Sequence, residues 1–196
     1  MVDVNSIVKQ MSYGLIKKEY DVVYIGLLPN EDSINLISDY TESRCFNSSV
    51  IVRADFFDHD EILIFDPEYI STFSRRLLLI SDLLICDLKN LSLLTGMDVE
   101  TIEDWQHAAG ILKTTGVKNL CIFDTEMQMI FLLFEDGEER NFFVPAIKNY
   151  TNVEFYNVLS ELTIYVASGD FYPAALQKVI KKINRLYAMN DSSVTI

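Results

Sequence analysis

Short runs rich in valine, isoleucine and leucine alternate along this chain with segments of helical periodicity. The runs show no polar alternation, so both faces of each predicted strand are apolar. Strands of this kind are typical of parallel sheets covered by helices on both sides. The alternation therefore predicts an α/β fold with a mostly parallel sheet. The predicted strands are DVVYIGLL, SSVIVRA, DLLICD, KNLCIF, MQMIFLLF and RNFFVPAI.

The segments between these runs carry recognisable helix ends. Pro67 predicts the start of one helix and Gly96 the end of another. Thr101 and Asp104 have the spacing of a capping box at the start of a third helix. The other predicted helices cover residues 4–15, 30–43, 153–166 and 170–188.

The composition indicates one compact domain over residues 1–196, with a frayed tail at 189–196. The chain has 196 residues, of which 49% are hydrophobic, and no linker or repeat divides it. With 29 acidic and 16 basic residues, its formal net charge is −13. This charge disfavours direct binding to nucleic acid or to an anionic membrane, and it tolerates a basic protein partner.

The three cysteines are scattered, odd in number and never in a CxxC pair. Free thiols in a reducing compartment are the plain interpretation of Cys45, Cys86 and Cys121. The first twenty residues show no signal-peptide pattern, and no apolar run is long enough to cross a bilayer. These features predict a cytoplasmic protein.

Several familiar catalytic motifs are absent from the sequence. It contains no GxxxxGK[ST] phosphate loop, no GxGxxG and no nucleophile elbow. The acidic stretch DFFDHDE follows a predicted strand, where carboxylates could hold Mg²⁺, or it is a solvated loop. Its charged and histidine residues are Asp55, Asp58, His59, Asp60 and Glu61.

The stretch VASGDFYPAAL, residues 166–176, has two interpretations. Gly169 could let backbone N–H groups approach an anion while Asp170 acts as the base of a phosphoryl transfer. Alternatively, Ser168 or Asp170 is the N-cap of the last helix.

Residues 19–188 resemble pyridoxal kinases, which are members of the ribokinase-like superfamily. The most telling pieces are SDLLICDLKNLSLLTG and ETIEDWQHAAGILKTTGVKNLCI. The resemblance implies a three-layer αβα sandwich. It also implies chemistry with ATP and Mg²⁺, and four motifs of the family test for that chemistry.

Three of these motifs are altered in this chain. Asp58 matches the last aspartate of the family's loop after the second strand, but Arg53 replaces the first aspartate. Asp87 stands in place of the asparagine, and Asn90 in place of the glutamate, of the turn that organises Mg²⁺. The threonine expected at the next strand end is Phe123 or Asp124.

The fourth motif is the glycine–threonine–glycine–aspartate turn that forms the anion hole and the base. Its place after FFVPAI is held by YTNVEF, residues 150–155. Thr151 matches the motif, whereas Tyr150 and Asn152 replace the glycines and Val153 replaces the aspartate, with Glu154 beside it. Side chains at these positions resist the backbone turn that would point several N–H groups at one phosphate oxygen.

The resemblance therefore implies a truncated, degenerate kinase relative that lacks the N-terminal part of the fold. We expect no catalytic residue, metal or cofactor, and a protein partner, either a full-length kinase or a large macromolecular complex. The alternative is an active ATP-dependent pyridoxal kinase with Asp170 as base, Gly169 in the anion hole, and Asp58 and Asp87 near Mg²⁺. The degenerate nucleotide site of the first hypothesis comprises Asp87, Asn90, Asp124, Thr151 and Glu154.

Overall fold

The structure is a computed structural model that describes residues 20–45, 47–58, 60 and 62–191. The predicted first helix at 4–15, together with His59 and Glu61, lies outside the described residues. The last helix continues to Asp191, three residues into the tail that was predicted to be frayed, and 192–196 are not described.

Six strands form one sheet in the order in which they occur along the chain. The first four are parallel to one another, and the last two are added antiparallel. The strands are β1 (Val22–Ile25), β2 (Ser49–Arg53), β3 (Leu83–Asp87), β4 (Asn119–Asp124), β5 (Met129–Leu133) and β6 (Glu139–Phe143).

Seven α-helices and one 3₁₀ helix, Pro145–Asn149, are found in the described part of the chain. The α-helices are α1 (Glu31–Arg44), α2 (Pro67–Arg76), α3 (Leu88–Thr95), α4 (Ile102–Thr114), α5 (Asn152–Leu159), α6 (Leu162–Ala167) and α7 (Tyr172–Asp191).

The helices cover both faces of the sheet and enclose two apolar cores. On one face, Ile34, Phe73 and Trp105 of α1, α2 and α4 pack against strand residues. On the other face, Tyr156 of α5 and Val179 of α7 do the same. Because β1 to β4 advance in one direction across the sheet, right-handed crossovers place α1 to α4 on the same side. The predicted α/β sandwich with a mostly parallel sheet is confirmed.

The helix-end signals in the sequence are confirmed. Pro67 lies in the first turn of α2, and Gly96 ends α3 in the left-handed region with φ +68°. Thr101 and Asp104 make both hydrogen bonds of a capping box at the start of α4.

Two predicted boundaries are wrong for local reasons. The last strand was predicted to reach Ile147 but ends at Phe143, because Pro145 cannot donate to a strand ladder and begins the 3₁₀ helix. The single helix predicted at 153–166 is two helices, α5 and α6, which meet at Ser160 and Glu161. No helix among the described residues is long and apolar enough to span a membrane.

Candidate functional site

The carboxyl ends of β2, β3 and β4 meet at one edge of the sheet, here called the carboxyl edge. Parallel strands bring their ends together in this way, and ligands of open α/β sheets bind outside this edge. Arg53, Asp87 and Asp124 are the last residues of the three strands. Helix α5 crosses the same edge, because the Tyr156 hydroxyl donates to the carbonyl of Ala54, directly after β2. The carboxyl edge therefore contains most of the predicted site residues.

Asp87 and Asn90 are brought together, but they bond to each other and to the backbone. Asp87 is the N-cap of α3, and its Oδ1 accepts from the backbone N–H and from Nδ2 of Asn90, both at 2.8 Å. The Oδ1 of Asn90 accepts from the backbone N–H of Phe56 at 2.8 Å. Burial raises the pKa of the Asp87 carboxyl to about 6, although the hydrogen bonds from Asn90 oppose this shift.

Tyr156 fills the space between the ends of β2 and β3. Its hydroxyl, besides donating to Ala54, accepts from the backbone N–H of Asp87 at 3.0 Å and from Nδ2 of Asn90 at 3.3 Å. Its ring is fully buried and meets the ring of Phe123 edge-on, with 4.8 Å between centroids. Tyr156 does not stand out in the sequence, because the apolar spacing in α5 predicts a buried face but not where a hydroxyl bonds.

Arg53 finds its counter-charge within the chain. Its guanidinium makes an ion pair with Asp55 and lies over the Tyr156 ring, 4.3 Å from the centroid. The side chains of Arg53 and Asp55 are only 12% and 9% exposed. A further bond of 3.4 Å joins Arg53 Nη1 to Oδ1 of Asn157. The arginine that replaces the family's aspartate is therefore part of the packing around Tyr156.

The start of α5, where the family's anion hole is expected, forms a capping box. The hydroxyl oxygen of Thr151 accepts from the backbone N–H of Glu154 at 3.2 Å. In return, the Glu154 carboxylate accepts from the backbone N–H of Thr151 at 2.9 Å. The hydrogen bonds that the carboxylate accepts from the Thr151 N–H and, at 3.0 Å, from the Thr151 hydroxyl lower the pKa of Glu154 below its usual range. The backbone at 152 and 153 is helical, and the side chains there lie outside what the structure describes.

The other carboxylates predicted for this edge organise turns. Asp58 accepts from the backbone N–H groups of Asp60 and Ile62, at 2.9 and 2.8 Å. Asp124 accepts from the backbone N–H of Met127 at 2.7 Å, in the turn between β4 and β5. Within the described part of the chain, no three His, Cys, Asp or Glu side chains converge as metal ligands would.

Asp170 lies near the opposite edge of the sheet, where the parallel strands begin, here called the amino edge. The hydroxyl of Tyr172, two residues further on, is 2.8 Å from the hydroxyl of Ser49, the first residue of β2. The Asp170 carboxylate makes an ion pair with Lys178. The structure therefore does not bring Asp170 together with Asp87 at the carboxyl edge.

Gly169 ends α6. It has φ +92°, and its N–H donates to the carbonyl of Val166, while the N–H of Asp170 donates to the carbonyl of Tyr165. This pair of bonds is a Schellman motif. Ser168 is the C-cap of α6, and α7 begins with the bond from the N–H of Ala175 to the carbonyl of Phe171. The prediction that Ser168 or Asp170 caps α7 is wrong, because α7 begins at Tyr172 and its N-cap position is therefore Phe171. The Ser168 hydroxyl instead donates to the carbonyl of Ile164 in α6 at 2.8 Å.

The family model described as phosphomethylpyrimidine kinase matches residues 1–152, and no curated protein matches the chain by sequence. The phosphomethylpyrimidine kinase of Clostridium difficile 630 has a similar structure, with TM-score 0.79 and 13% identity over 95% of this chain and 77% of that one.

Two pyridoxal kinase structures are also similar. For the Bacillus subtilis enzyme in complex with ADP, the TM-score is 0.75 at 18% identity, over 92% of this chain and 68% of that one. For the Staphylococcus aureus enzyme in complex with AMP-PCP and pyridoxal, the TM-score is 0.71 at 19% identity, over 91% of this chain and 65% of that one. These similarities confirm the predicted ribokinase-like fold.

Proposed function

The chain belongs to the phosphomethylpyrimidine kinase family, and we propose that it is a catalytically degenerate member that binds or regulates another protein in a larger cytoplasmic assembly. In this role it uses neither ATP nor Mg²⁺. Its partner is a full-length kinase or another component of a macromolecular complex.

One observation carries the proposal: the Tyr156 side chain is fully buried between the ends of β2 and β3 at the carboxyl edge. Its hydroxyl makes three hydrogen bonds, to Ala54, Asp87 and Asn90, and its buried ring lies under the Arg53 guanidinium. A phosphoryl group or an acceptor alcohol placed between β2 and β3 would have to displace this side chain. Breaking these bonds inside a buried network is costly, because each group left without a partner costs about 1–3 kcal/mol.

The residues around Tyr156 do not fit the phosphates of a nucleotide or Mg²⁺. The Glu154 carboxylate bonds to the helix start that a phosphate would need and would repel it. The Asp58 carboxylate bonds to two backbone N–H groups, and the buried Asp87 carboxyl bonds to Asn90. In this proposal, therefore, no phosphoryl transfer takes place at the carboxyl edge.

The alternative is an active pyridoxal kinase that uses Asp170 as base, and the sequence Ser-Gly-Asp favours it. In this hypothesis Gly169 contributes to the anion hole, and Asp58 and Asp87 lie near Mg²⁺. Two contacts support the degenerate role instead. The N–H groups of Gly169 and Asp170 already bond to α6, and the Asp170 carboxylate bonds to Lys178.

An assay of ATP turnover tests the proposal. The purified chain is incubated with Mg-ATP and either pyridoxal or hydroxymethylpyrimidine, and ADP formation is measured against a pyridoxal kinase as positive control. We expect no ADP above background and no thermal shift at millimolar Mg-ATP, because a ligand that binds the native state would raise the Tm. Turnover that Asp170→Asn abolishes would establish the alternative and overturn the degenerate role.

The cytoplasmic setting and the partner are part of the same proposal. Cys45, Cys86 and Cys121 are all buried free thiols, which fits a reducing compartment. A native pull-down with the full chain, followed by quantitative mass spectrometry, is expected to recover one companion close to equal stoichiometry. Recovery of the chain alone, from cells that express it at its natural level, would contradict a binding role.

A further inference from the structure

A groove lies at the amino edge, between the β5–β6 hairpin and the first turns of α7, far along the strands from Tyr156. We call it the hairpin–helix groove. It has a volume of about 740 Å³. Its lining residues include Phe134, Glu135, Asp136, Phe171 and Pro173.

The groove presents an aromatic side chain to solvent. Phe171 is 85% exposed, the largest exposed fraction among the large hydrophobic residues that the structure describes. The Schellman motif at Gly169 turns the chain directly before Phe171, and the ion pair between Asp170 and Lys178 joins this turn to α7. An exposed phenyl ring at the rim of a groove that Phe134 and Pro173 also line is a suitable contact for an apolar side chain of a partner.

The hairpin wall of the groove is acidic and held in place. Glu135, Asp136 and Glu138 line it together with Arg140, and the Arg140 guanidinium makes an ion pair of 2.7 Å with the Glu138 carboxylate, so Glu135 and Asp136 carry the excess negative charge of the lining. The Lys113 ammonium donates to the backbone carbonyl of Glu135 at 2.8 Å. The backbone N–H of Glu135 donates to Asn119 at 3.1 Å. A wall fixed in this way loses little conformational freedom when a ligand binds.

We propose that the hairpin–helix groove binds a basic segment of a partner protein, which inserts an apolar side chain beside Phe171 and places lysine or arginine residues against the hairpin carboxylates. Charge complementarity decides the occupant, because the Glu135 and Asp136 carboxylates line the groove of a chain whose net charge is −13, and both favour a basic segment over an acidic one. This inference rests on the proposed binding role and names the chemistry of the partner.

The test uses the full chain and a synthetic hexapeptide with a leucine–tryptophan pair between two lysines on each side. Two control peptides replace the lysines by glutamates or the leucine–tryptophan pair by serines. Binding is followed by ¹⁵N-¹H NMR titration. We expect saturable shifts of the resonances of residues 134–140 and 171–177 with the basic apolar peptide, and none with the acidic control.

Matched variants separate the groove from general charge attraction. Phe171→Ser and Glu135→Lys should each weaken binding at least tenfold. Ile164→Ser removes a side chain that is 62% exposed on α6, and Glu126→Lys reverses a carboxylate in the β4–β5 turn. Both controls should change the affinity less than twofold. Absent saturation, shifts spread over the acidic surface, or equal effects of all four variants would overturn the proposal.

The result of the peptide titration is independent of the result of the ATP turnover assay. ATP turnover in the same preparation would overturn the degenerate role, while peptide binding at the groove would stand. A chain without turnover that also fails to bind the hexapeptide would keep the degenerate role and remove the groove as its docking site.

Discussion

At the scale of single residues, Asp87 is a buried carboxyl that makes stability depend on pH. Its pKa is raised from 3.8 to about 6, so the native state holds the proton more tightly than the unfolded state. The stability from this group is therefore complete below about pH 4 and is lost as pH rises through 6. A shift of this size corresponds to a loss on the order of 2–3 kcal/mol above pH 6.

Asp87→Asn should remove this dependence, because asparagine keeps the N-cap oxygen and carries no charge. The free energy of unfolding is measured by urea denaturation from pH 4 to pH 8. The variant minus wild-type difference should increase with pH across this range and level off above pH 7. Asp124→Asn, at the end of the neighbouring strand, is the control. A flat difference for Asp87→Asn would contradict the argument.

Tyr156 gives a second prediction at this scale. Tyr156→Phe keeps the ring and leaves the Ala54 carbonyl and the Asp87 N–H without their partner, so it should lower the free energy of unfolding by about 2–3 kcal/mol. Tyr172→Phe is the matched control, because its hydroxyl bonds to Ser49 at the half-buried amino edge. The control should lower the stability by about 1 kcal/mol or less. Equal losses of unfolding free energy in the two variants would contradict a larger contribution of the buried Tyr156 network to stability.

At the scale of helices and strands, the Schellman motif that ends α6 can be tested with a pair of glycines. Gly169 has φ +92°, whereas Gly110 lies inside α4, and a methyl group would meet no neighbouring atom at either position. Gly169→Ala should therefore destabilise by about 1–2 kcal/mol, because an L-residue is strained there. Gly110→Ala should stabilise by about 0.5–1 kcal/mol. Thermal unfolding measures both, and a gain in Tm for Gly169→Ala would contradict the assignment.

The elements themselves were largely predictable because their signals are local. Unbroken apolar runs gave β1 to β4, and Pro67, Gly96 and the Thr101 capping box marked helix ends. The break between α5 and α6 was missed, because the hydroxyls of Ser160 and Thr163 bond back to the carbonyls of Asn157 and Ser160. Such bonds compete with helix continuation, and the spacing of apolar residues does not reveal them.

The candidate site was predictable only where strand ends determine it. Parallel strands end at a common edge, so Asp87 and Asp124 could be placed there from the sequence. The bonds of Tyr156 could not be predicted, because they join α5 to the segment after β2, to the end of β3 and to α3, all more than sixty residues earlier. The position of Asp170 at the amino edge likewise depends on how α6 and α7 pack, and that is a tertiary property.

At the scale of the whole molecule, the two edges of the sheet differ in a way that concerns function. At the carboxyl edge the Arg53 side chain contacts the buried side chains of Tyr156 and Asp55, whereas the amino edge has the hairpin–helix groove with its exposed Phe171. The proposed binding role needs the sheet as a scaffold but no open ligand site at its carboxyl edge. The changes at this edge are therefore spread over β2, β3 and α5 and are not confined to one turn.

This distribution predicts that restoring the family's turn does not restore phosphoryl transfer. The triple variant Tyr150→Gly, Asn152→Gly and Val153→Asp recreates glycine–threonine–glycine–aspartate around Thr151. Tyr156 would still lie between the ends of β2 and β3, and Asn90 would still lack the negative charge that a hard cation prefers. We expect no ADP from Mg-ATP and pyridoxal, and a lower Tm, because two glycines near the start of α5 increase the entropy of the unfolded chain. Circular dichroism checks that the variant is folded. Phosphorylated pyridoxal formed by the folded triple variant would show that only the turn had been lost. The buried Tyr156 side chain would then be no barrier to catalysis.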